Sequence, residues 1–144
     1  MKTFVSSKNI FSCAILWIIA LGLLIIVFIE KPEAEAPPIY IFNIIMIGII
    51  SMIIWILLDT KYNINEEILY YYSGPFRGKI NINSIRKIEH HSGLIVPVSY
   101  KPALDTKGLI IHYNSFDDIY ISPNQEEIFI QELLKINPNI KVIN

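Results

Sequence analysis

The chain has 144 residues, of which 53% are hydrophobic and 17% charged, and its formal net charge is −1. Globular proteins average about 45–50% apolar and about 25% charged residues, so this composition favours a membrane protein. The small net charge argues against bulk binding of nucleic acid, and the single cysteine, Cys13, excludes a disulfide framework.

The first apolar segment predicts a membrane span. Residues 1–9 are short and basic, with Lys2 and Lys8, and Ile10–Ile29 follows without a charged residue. A helix rises about 1.5 Å per residue, so twenty residues cover the roughly 30 Å hydrocarbon core of a bilayer. A signal peptide is the alternative, since Ala34–Ala36 imitates a cleavage site. Its apolar part would be only about 7–15 residues long, so we expect a span instead.

Ile39–Leu58 is the second uncharged apolar run, and a chain of this size has no soluble core that would hide two such segments. The link 30–38 is short and contains Pro32, Pro37 and Pro38, which are expected to break helix on both sides. The spans 10–29 and 39–58 therefore form an antiparallel hairpin within residues 1–58.

Basic residues predict the orientation of this hairpin. Lys2 and Lys8 precede the first span, and Lys61 follows the second, whereas Lys31 is the one basic residue of the link. The positive-inside bias places both termini in the cytoplasm and the link 30–38 outside it, in a multi-pass protein of the cytoplasmic (inner) membrane.

Residues 59–144 predict a soluble domain that begins with β-hairpins. Asn65–Glu67 is a polar turn between Tyr62–Ile64 and the strand-forming run Ile68–Ser73. Gly74-Pro75 is a strong turn signal before Phe76–Ile82, in which apolar and polar residues alternate. These segments predict strands with one buried face.

The second half of the domain predicts further strands and a final helix. Ser92–Lys107 is interpreted as a long irregular connection with a short strand at Leu94–Val96. Leu109–Tyr113 and Asp118–Ile121 flank a turn and predict a hairpin. Ser122 is expected to cap a helix, with Pro123 at its first position and Gln125 completing a capping box. Phe129, Leu133 and Ile136 form its apolar face, and Pro138 ends it. The predicted class is α+β: a transmembrane hairpin, then a curved antiparallel sheet or barrel of six or seven strands capped by an amphipathic helix.

Two blocks of this sequence, Tyr62–Ile88 and Gly108–Ile140, carry a family resemblance. The first reads YNINEEILYYYSGPFRGKININSIRKI and the second GLIIHYNSFDDIYISPNQEEIFIQELLKINPNI. The chain resembles the bacterial PH-like domains of the YyaB-like and sublancin-immunity type. The resemblance implies a PH-like fold preceded by one or two spans, with no assigned reaction and no catalytic residues. One relative type protects its producer from a secreted bacteriocin.

Two sets of residues are candidates for contacts of this domain. Arg77, Lys79, Arg86 and Lys87 are basic residues that can lie near an anionic leaflet, with an ordinary solvated face as the alternative. Tyr70 and Tyr72 are candidate exposed aromatic contacts, whereas alternation puts Tyr71 on the other face of the strand. A phosphoinositide pocket is disfavoured, because the first hairpin turn is acidic.

Catalysis and metal binding are not predicted. His90 and His91 are adjacent and would point to opposite faces of a strand, so they cannot share an ion, and His112 is a single further histidine. No serine, cysteine or histidine lies in a nucleophile motif, and no cofactor is expected. We expect a non-enzymatic scaffold in the bilayer that binds an unknown membrane or cytoplasmic protein, with self-association left open. The alternatives are a bacteriocin immunity protein and a lipid-responsive regulator.

Overall fold

The computed structural model describes residues 1–29, 37–93, 95–98 and 100–143. The helices are α1 (Ile10–Ile29), α2 (Pro37–Asp59) and α3 (Glu126–Ile136). The strands are β1 (Lys2–Val5), β2 (Lys61–Asn65), β3 (Ile68–Ser73), β4 (Phe76–Asn81), β5 (Ile85–Ser92), β6 (Lys107–Tyr113), β7 (Asp117–Ile121) and β8 (Lys141–Ile143). A 3₁₀ turn, Ile82–Ser84, joins β4 to β5.

The strands form two four-stranded sheets. The first has the order β1-β2-β3-β4 and is antiparallel throughout. The second has the order β7-β6-β5-β8, in which β8 runs parallel to β5 and the other pairs are antiparallel. The predicted α+β class with two apolar helices, a sheet domain and a closing helix is thus confirmed, and β1 and β8 are additional short strands.

The core lies between the two sheets and is closed by α3. Phe129 and Leu133 of α3 are buried, and the Phe129 ring packs edge-on against Phe4 of β1 with the ring centroids 5.1 Å apart. The sheets contribute buried aliphatic residues, which are Ile64, Leu69, Ile80, Ile85, Ile88, Leu109, Ile111, Ile119 and Ile121, and the 3₁₀ turn contributes Ile82. Helix α3 therefore belongs to the same core as both sheets.

Strand β1 joins the segment before α1 to the domain that follows α2. Phe4 lies opposite Tyr62 of β2, and the Ser6 N–H donates to the Thr60 carbonyl oxygen at 3.1 Å. Helix α1 begins just beyond, where the Asn9 side chain accepts a hydrogen bond from the Phe11 N–H at 2.9 Å. The sequence predicts a hairpin over residues 1–58, whereas the structure has Lys2–Val5 as a strand of the first sheet.

Three local expectations differ from the structure. Pro37 begins α2 instead of breaking it, because a helix tolerates proline in its first turn, where the N–H has no partner to lose. Helix α3 begins at Glu126, and Gln125 precedes it without a side-chain cap. Ile95 and Val96 are not in a strand, while Leu94 and the predicted link residues 30–36 lie outside the described residues.

Candidate functional site

The four predicted basic residues are divided between the two sheets. Arg77 and Lys79 belong to β4, whereas Arg86 and Lys87 belong to β5. An Arg86 guanidinium N–H donates to the Ser115 carbonyl oxygen at 2.8 Å, and Lys87 forms an ion pair with Glu89. The structure therefore does not gather the four cations into one patch, and Arg77 is the one that contacts α2, through Trp55 and Asp59, among the contacts of the described residues.

Arg77 lies at the centre of an aromatic and charged cluster at the end of α2. Its guanidinium is 5.5 Å from the ring centroids of both Trp55 and Tyr72, and it approaches Asp59 at 3.3 Å. Lys61 also pairs with Asp59, at 2.7 Å, and lies 5.7 Å from the Tyr72 ring. We call these five residues the Arg77 cluster. Cation–π contacts of this kind stabilise by roughly 0.5–1 kcal/mol when exposed.

The tyrosine run of β3 is divided as alternation predicts. Tyr72 belongs to the Arg77 cluster, and Tyr70, its neighbour on the same face, lies opposite Lys79 and is half-buried. Tyr71 packs against the core and Tyr100, with ring centroids 5.5 Å apart. It lies opposite Gly78, where a side chain would collide with the Tyr71 ring. Neither Tyr70 nor Tyr72 is fully exposed.

A buried polar cluster fastens the start of α1 to the domain. The Tyr62 hydroxyl donates to the Pro102 carbonyl oxygen at 2.7 Å and accepts from the Ser122 N–H at 3.1 Å. The hydroxyl oxygens of Ser6 and Ser122 lie 2.9 Å apart, and Ser6 Oγ accepts from the Leu104 N–H. Burial raises the pKa of Tyr62, so its hydroxyl stays protonated. Sequence reasoning missed this cluster, because its members lie far apart in the chain.

A cleft of about 650 Å³ opens between the start of α3 and the β5–β6 pair. Its lining residues are Ser7, His90, Asp105, Lys107, Pro123, Asn124, Gln125, Glu126, Glu127 and Ile128. Three of these carry carboxylates and one is a lysine, so we call it the acidic cleft. His90 Nδ1 lies 3.5 Å from Glu126, and the Ser7 hydroxyl donates to Asp105 at 2.5 Å.

Asp105 stays ionised within the acidic cleft. Partial burial raises the pKa of its carboxyl. Hydrogen bonds from the Ser7 hydroxyl and from the N–H groups of Lys107 and Thr106 together lower the pKa by more than burial raises it, so the pKa lies below its usual value. The negative charge is thereby held beside Ser7, two residues before the helix cap Asn9. The cleft thus lies close to the start of α1.

The histidines occupy separate environments. His90 faces the acidic cleft, whereas the His91 ring packs edge-on against Tyr120 with centroids 6.0 Å apart, and His112 lies 3.3 Å from Glu89. Within the described residues no group of three or more His, Cys, Asp or Glu side chains is placed to hold a metal ion. The acidic cleft combines carboxylates with a lysine and a histidine, and this arrangement suits binding of a charged group.

The fold and its surfaces define a helical hairpin joined to a small two-sheet domain with a closing helix. The family model described as Bacterial PH domain matches residues 60–137, just over half of the chain. The chain belongs to this bacterial PH domain family. Neither the curated proteins nor the solved structures contain a match. The narrower YyaB-like and sublancin-immunity resemblance stays a prediction.

Proposed function

We propose that the hairpin α1–α2 is inserted in the cytoplasmic membrane and holds the PH-like domain at its inner face, where the domain binds a protein partner without catalysis. One observation carries the proposal. Strands β1 and β2 precede and follow the hairpin and are neighbours in one sheet. The two open ends of the hairpin therefore meet the same domain, and both chain ends lie on one side of the bilayer.

The helices themselves support membrane insertion. By length and composition, both are able to cross a bilayer, and only 6% of Ile10–Val27 and 11% of Ile41–Asp59 is buried within the protein. At about 1.5 Å per residue, α1 and α2 extend about 30 Å and about 35 Å. Their apolar side chains face outward, which favours lipid over a soluble core as their surroundings.

Charge supports the orientation. Lys2, Lys8, Lys61 and Arg77 lie on the domain side of the helices, and the positive-inside bias assigns such a side to the cytoplasm. No contact in the described part of the chain bears on self-association or on the choice of the inner membrane, so both stay predictions.

The acidic cleft is the surface that best fits a protein partner. It carries three carboxylates against one lysine, and through Ser7 it lies near the start of α1. Cytoplasmic segments next to membrane helices are rich in lysine and arginine. We infer that the cleft binds a basic juxtamembrane segment of another membrane protein, because charge and position are complementary.

Photo-crosslinking in native membranes tests this function. A photoreactive residue replaces Ile128 in the cleft, and a second version of the full chain carries it at Phe116, at the opposite end of the domain. Mass spectrometry of the crosslinked peptides is expected to find a lysine- and arginine-rich cytoplasmic segment at position 128 and not at position 116.

A charge variant supplies the control. Glu126→Gln with Glu127→Gln removes two charges from the cleft and should reduce the crosslinking yield several-fold. Glu66→Gln with Glu67→Gln removes two charges from the β2–β3 turn and should leave the yield unchanged. Equal yields in both variants, or crosslinked peptides without basic residues, would overturn the cleft as the binding surface. Bacteriocin immunity and lipid-responsive regulation stay predictions, and survival of an expressing sensitive strain under bacteriocin challenge tests the former.

A further inference from the structure

The turn between β3 and β4 lies level with the last turn of α2. A Cβ atom built on Gly74 would lie 2.8 Å from Ile56 Cγ1 and 3.2 Å from the Ile56 backbone nitrogen. Gly74 also has a φ of +57°, which favours glycine. The turn backbone therefore touches α2 directly, three residues before Asp59 ends the helix, or about 4.5 Å along its axis.

Exposed apolar and aromatic groups surround this contact. Phe76 is 50% exposed, Pro75 is exposed, and Trp55, one residue before Ile56 in α2, is 46% exposed. Aromatic rings are enriched at the boundary between the hydrocarbon core and water, where amphipathic groups are favoured. A single exposed phenylalanine is ordinary on a soluble protein, but this one is next to the end of an apolar helix.

The local charge is compatible with an anionic leaflet. Lys61 and Arg77 both pair with the single carboxylate of Asp59, which leaves one positive charge in the Arg77 cluster. The long side chains of such cations extend along apolar surface and hold their charged heads at the level of lipid phosphates. The cluster therefore favours the same depth in the membrane as the aromatic rings.

We propose that the β3–β4 turn is a second membrane contact, in which Pro75 and Phe76 enter the lipid interface beside α2. This inference rests on the proposed crossing of the membrane by α2. The second contact fixes the tilt of the domain on the bilayer, because the domain is then held at the turn as well as at the two helix ends.

Nitroxide labels on the full chain test this contact. In a Cys13→Ala background, labels are placed one at a time at Phe76→Cys, Phe116→Cys and Ile44→Cys, and the protein is reconstituted in vesicles of phosphatidylethanolamine and phosphatidylglycerol. Power saturation compares the collision rate with lipid-soluble oxygen and with a water-soluble nickel chelate. A Pro75→Cys label repeats the measurement if position 76 disturbs folding, which circular dichroism checks.

We expect oxygen to dominate at position 76 and the nickel chelate to dominate at position 116. A nickel-dominated signal at both 76 and 75, with oxygen dominating at position 44, would overturn the second contact and leave the membrane anchor intact. A nickel-dominated signal at position 44 would overturn both, because position 44 lies within α2 itself.

Discussion

The two ends of the domain each carry a hairpin turn with an exposed phenylalanine, but they differ in what the turn touches. At the end near the helices, Gly74 contacts Ile56 of α2, and Phe76 is 50% exposed. At the far end, the Asn114 side chain donates to Asp117 at 2.8 Å, and Phe116 is 96% exposed. Both turns use a residue with positive φ. Their local chemistry is therefore similar, and their surroundings differ.

This difference shows that the place of a hairpin turn in the fold, and not its local conformation, determines what the turn contacts. The end near the helices contains the buried hydroxyls of Ser6, Tyr62 and Ser122, whose partners come from distant segments. The bonds of the far turn are with Asp117, Ser84 and Arg86, all within the domain. The near end therefore joins the segment before α1 to the domain through hydrogen bonds between distant parts of the chain.

The largest effect is expected from Phe4→Ala, which removes the ring of β1 that packs on Phe129. Phe4 is 5% exposed, and loss of a buried phenylalanine costs about 3–5 kcal/mol. Denaturant unfolding in detergent micelles, followed by circular dichroism, measures this loss. Val5→Ala is the matched control, because Val5 is the exposed neighbour and its truncation should change stability by less than about 0.5 kcal/mol. Equal effects of the two variants would mean that β1 does not belong to the core.

Tyr62→Phe should have the next largest effect. It leaves the Pro102 carbonyl and the Ser122 N–H without the hydroxyl that bonds them, at about 1–3 kcal/mol for an unsatisfied buried group. Tyr70→Phe is the control, because the Tyr70 hydroxyl makes no hydrogen bond to another described side chain or backbone group, and it should be nearly neutral. The same unfolding measurement separates the two, and a neutral Tyr62→Phe would contradict the buried polar cluster.

Gly74→Ala compares the two turns directly. The strained backbone costs about 1–2 kcal/mol, and the added Cβ must also push the turn away from Ile56. In a Trp17→Phe background, the fluorescence of Trp55 should therefore change. Asn114→Ala imposes a similar backbone cost at the far turn and should leave this fluorescence unaltered. An identical Trp55 spectrum in Gly74→Ala would show that the turn does not contact α2.

Acid should weaken the near end through Asp105, and this is the smallest effect. Its pKa in the folded protein lies below 3.8, so its stabilising contribution is complete above that pH and is lost as the pH falls through the folded pKa. Asp105→Asn cannot titrate, so its unfolding midpoint should fall less steeply below about pH 4 than that of the unaltered protein. Glu89 and Glu132, whose pKa values are also lowered by lysine partners, leave a residual slope in both proteins. Identical slopes would exclude a contribution from Asp105.

Local patterns were sufficient to predict the helices and most hairpins. The uncharged run Ile10–Ile29 predicts α1 at its observed bounds, because length and hydropathy alone decide such a helix. Gly74-Pro75 predicts the β3–β4 turn, since only a few residue types suit its backbone. The apolar spacing of Phe129 and Leu133 predicts the buried face of α3.

Elements that depend on distant partners were not predictable in this way. Strand β1 has only four residues, and its partner β2 follows both helices, so nothing in KTFV itself indicates the pairing. Serine is a residue type favoured at helix N-caps, but the Ser122 hydroxyl lies beside that of Ser6, and the helix begins four residues later. Tertiary contacts here override the local signal.

The candidate site shows the same limit. Tyr72 and Arg77 meet because they are opposite one another across the β3–β4 hairpin, which is a local pairing. Trp55 and Asp59 join them because the turn packs on α2, and the sequence alone does not specify this packing. The acidic cleft needs residues from three distant segments, such as Ser7, Asp105 and Glu126. It emerges only when both sheets and α3 are assembled.

The proposed anchor requires that the hairpin lies between two strands of one domain, with both chain ends in the cytoplasm. Single cysteines at Thr3, Val142 and Ala34 of the full chain, in a Cys13→Ala background, are treated with a membrane-impermeant maleimide on intact cells and after the membrane is opened. We predict that positions 3 and 142 react only after opening, whereas position 34, in the predicted external link, reacts in intact cells. Reaction of position 3 with the maleimide in intact cells, whether alone or together with position 142, would contradict this topology.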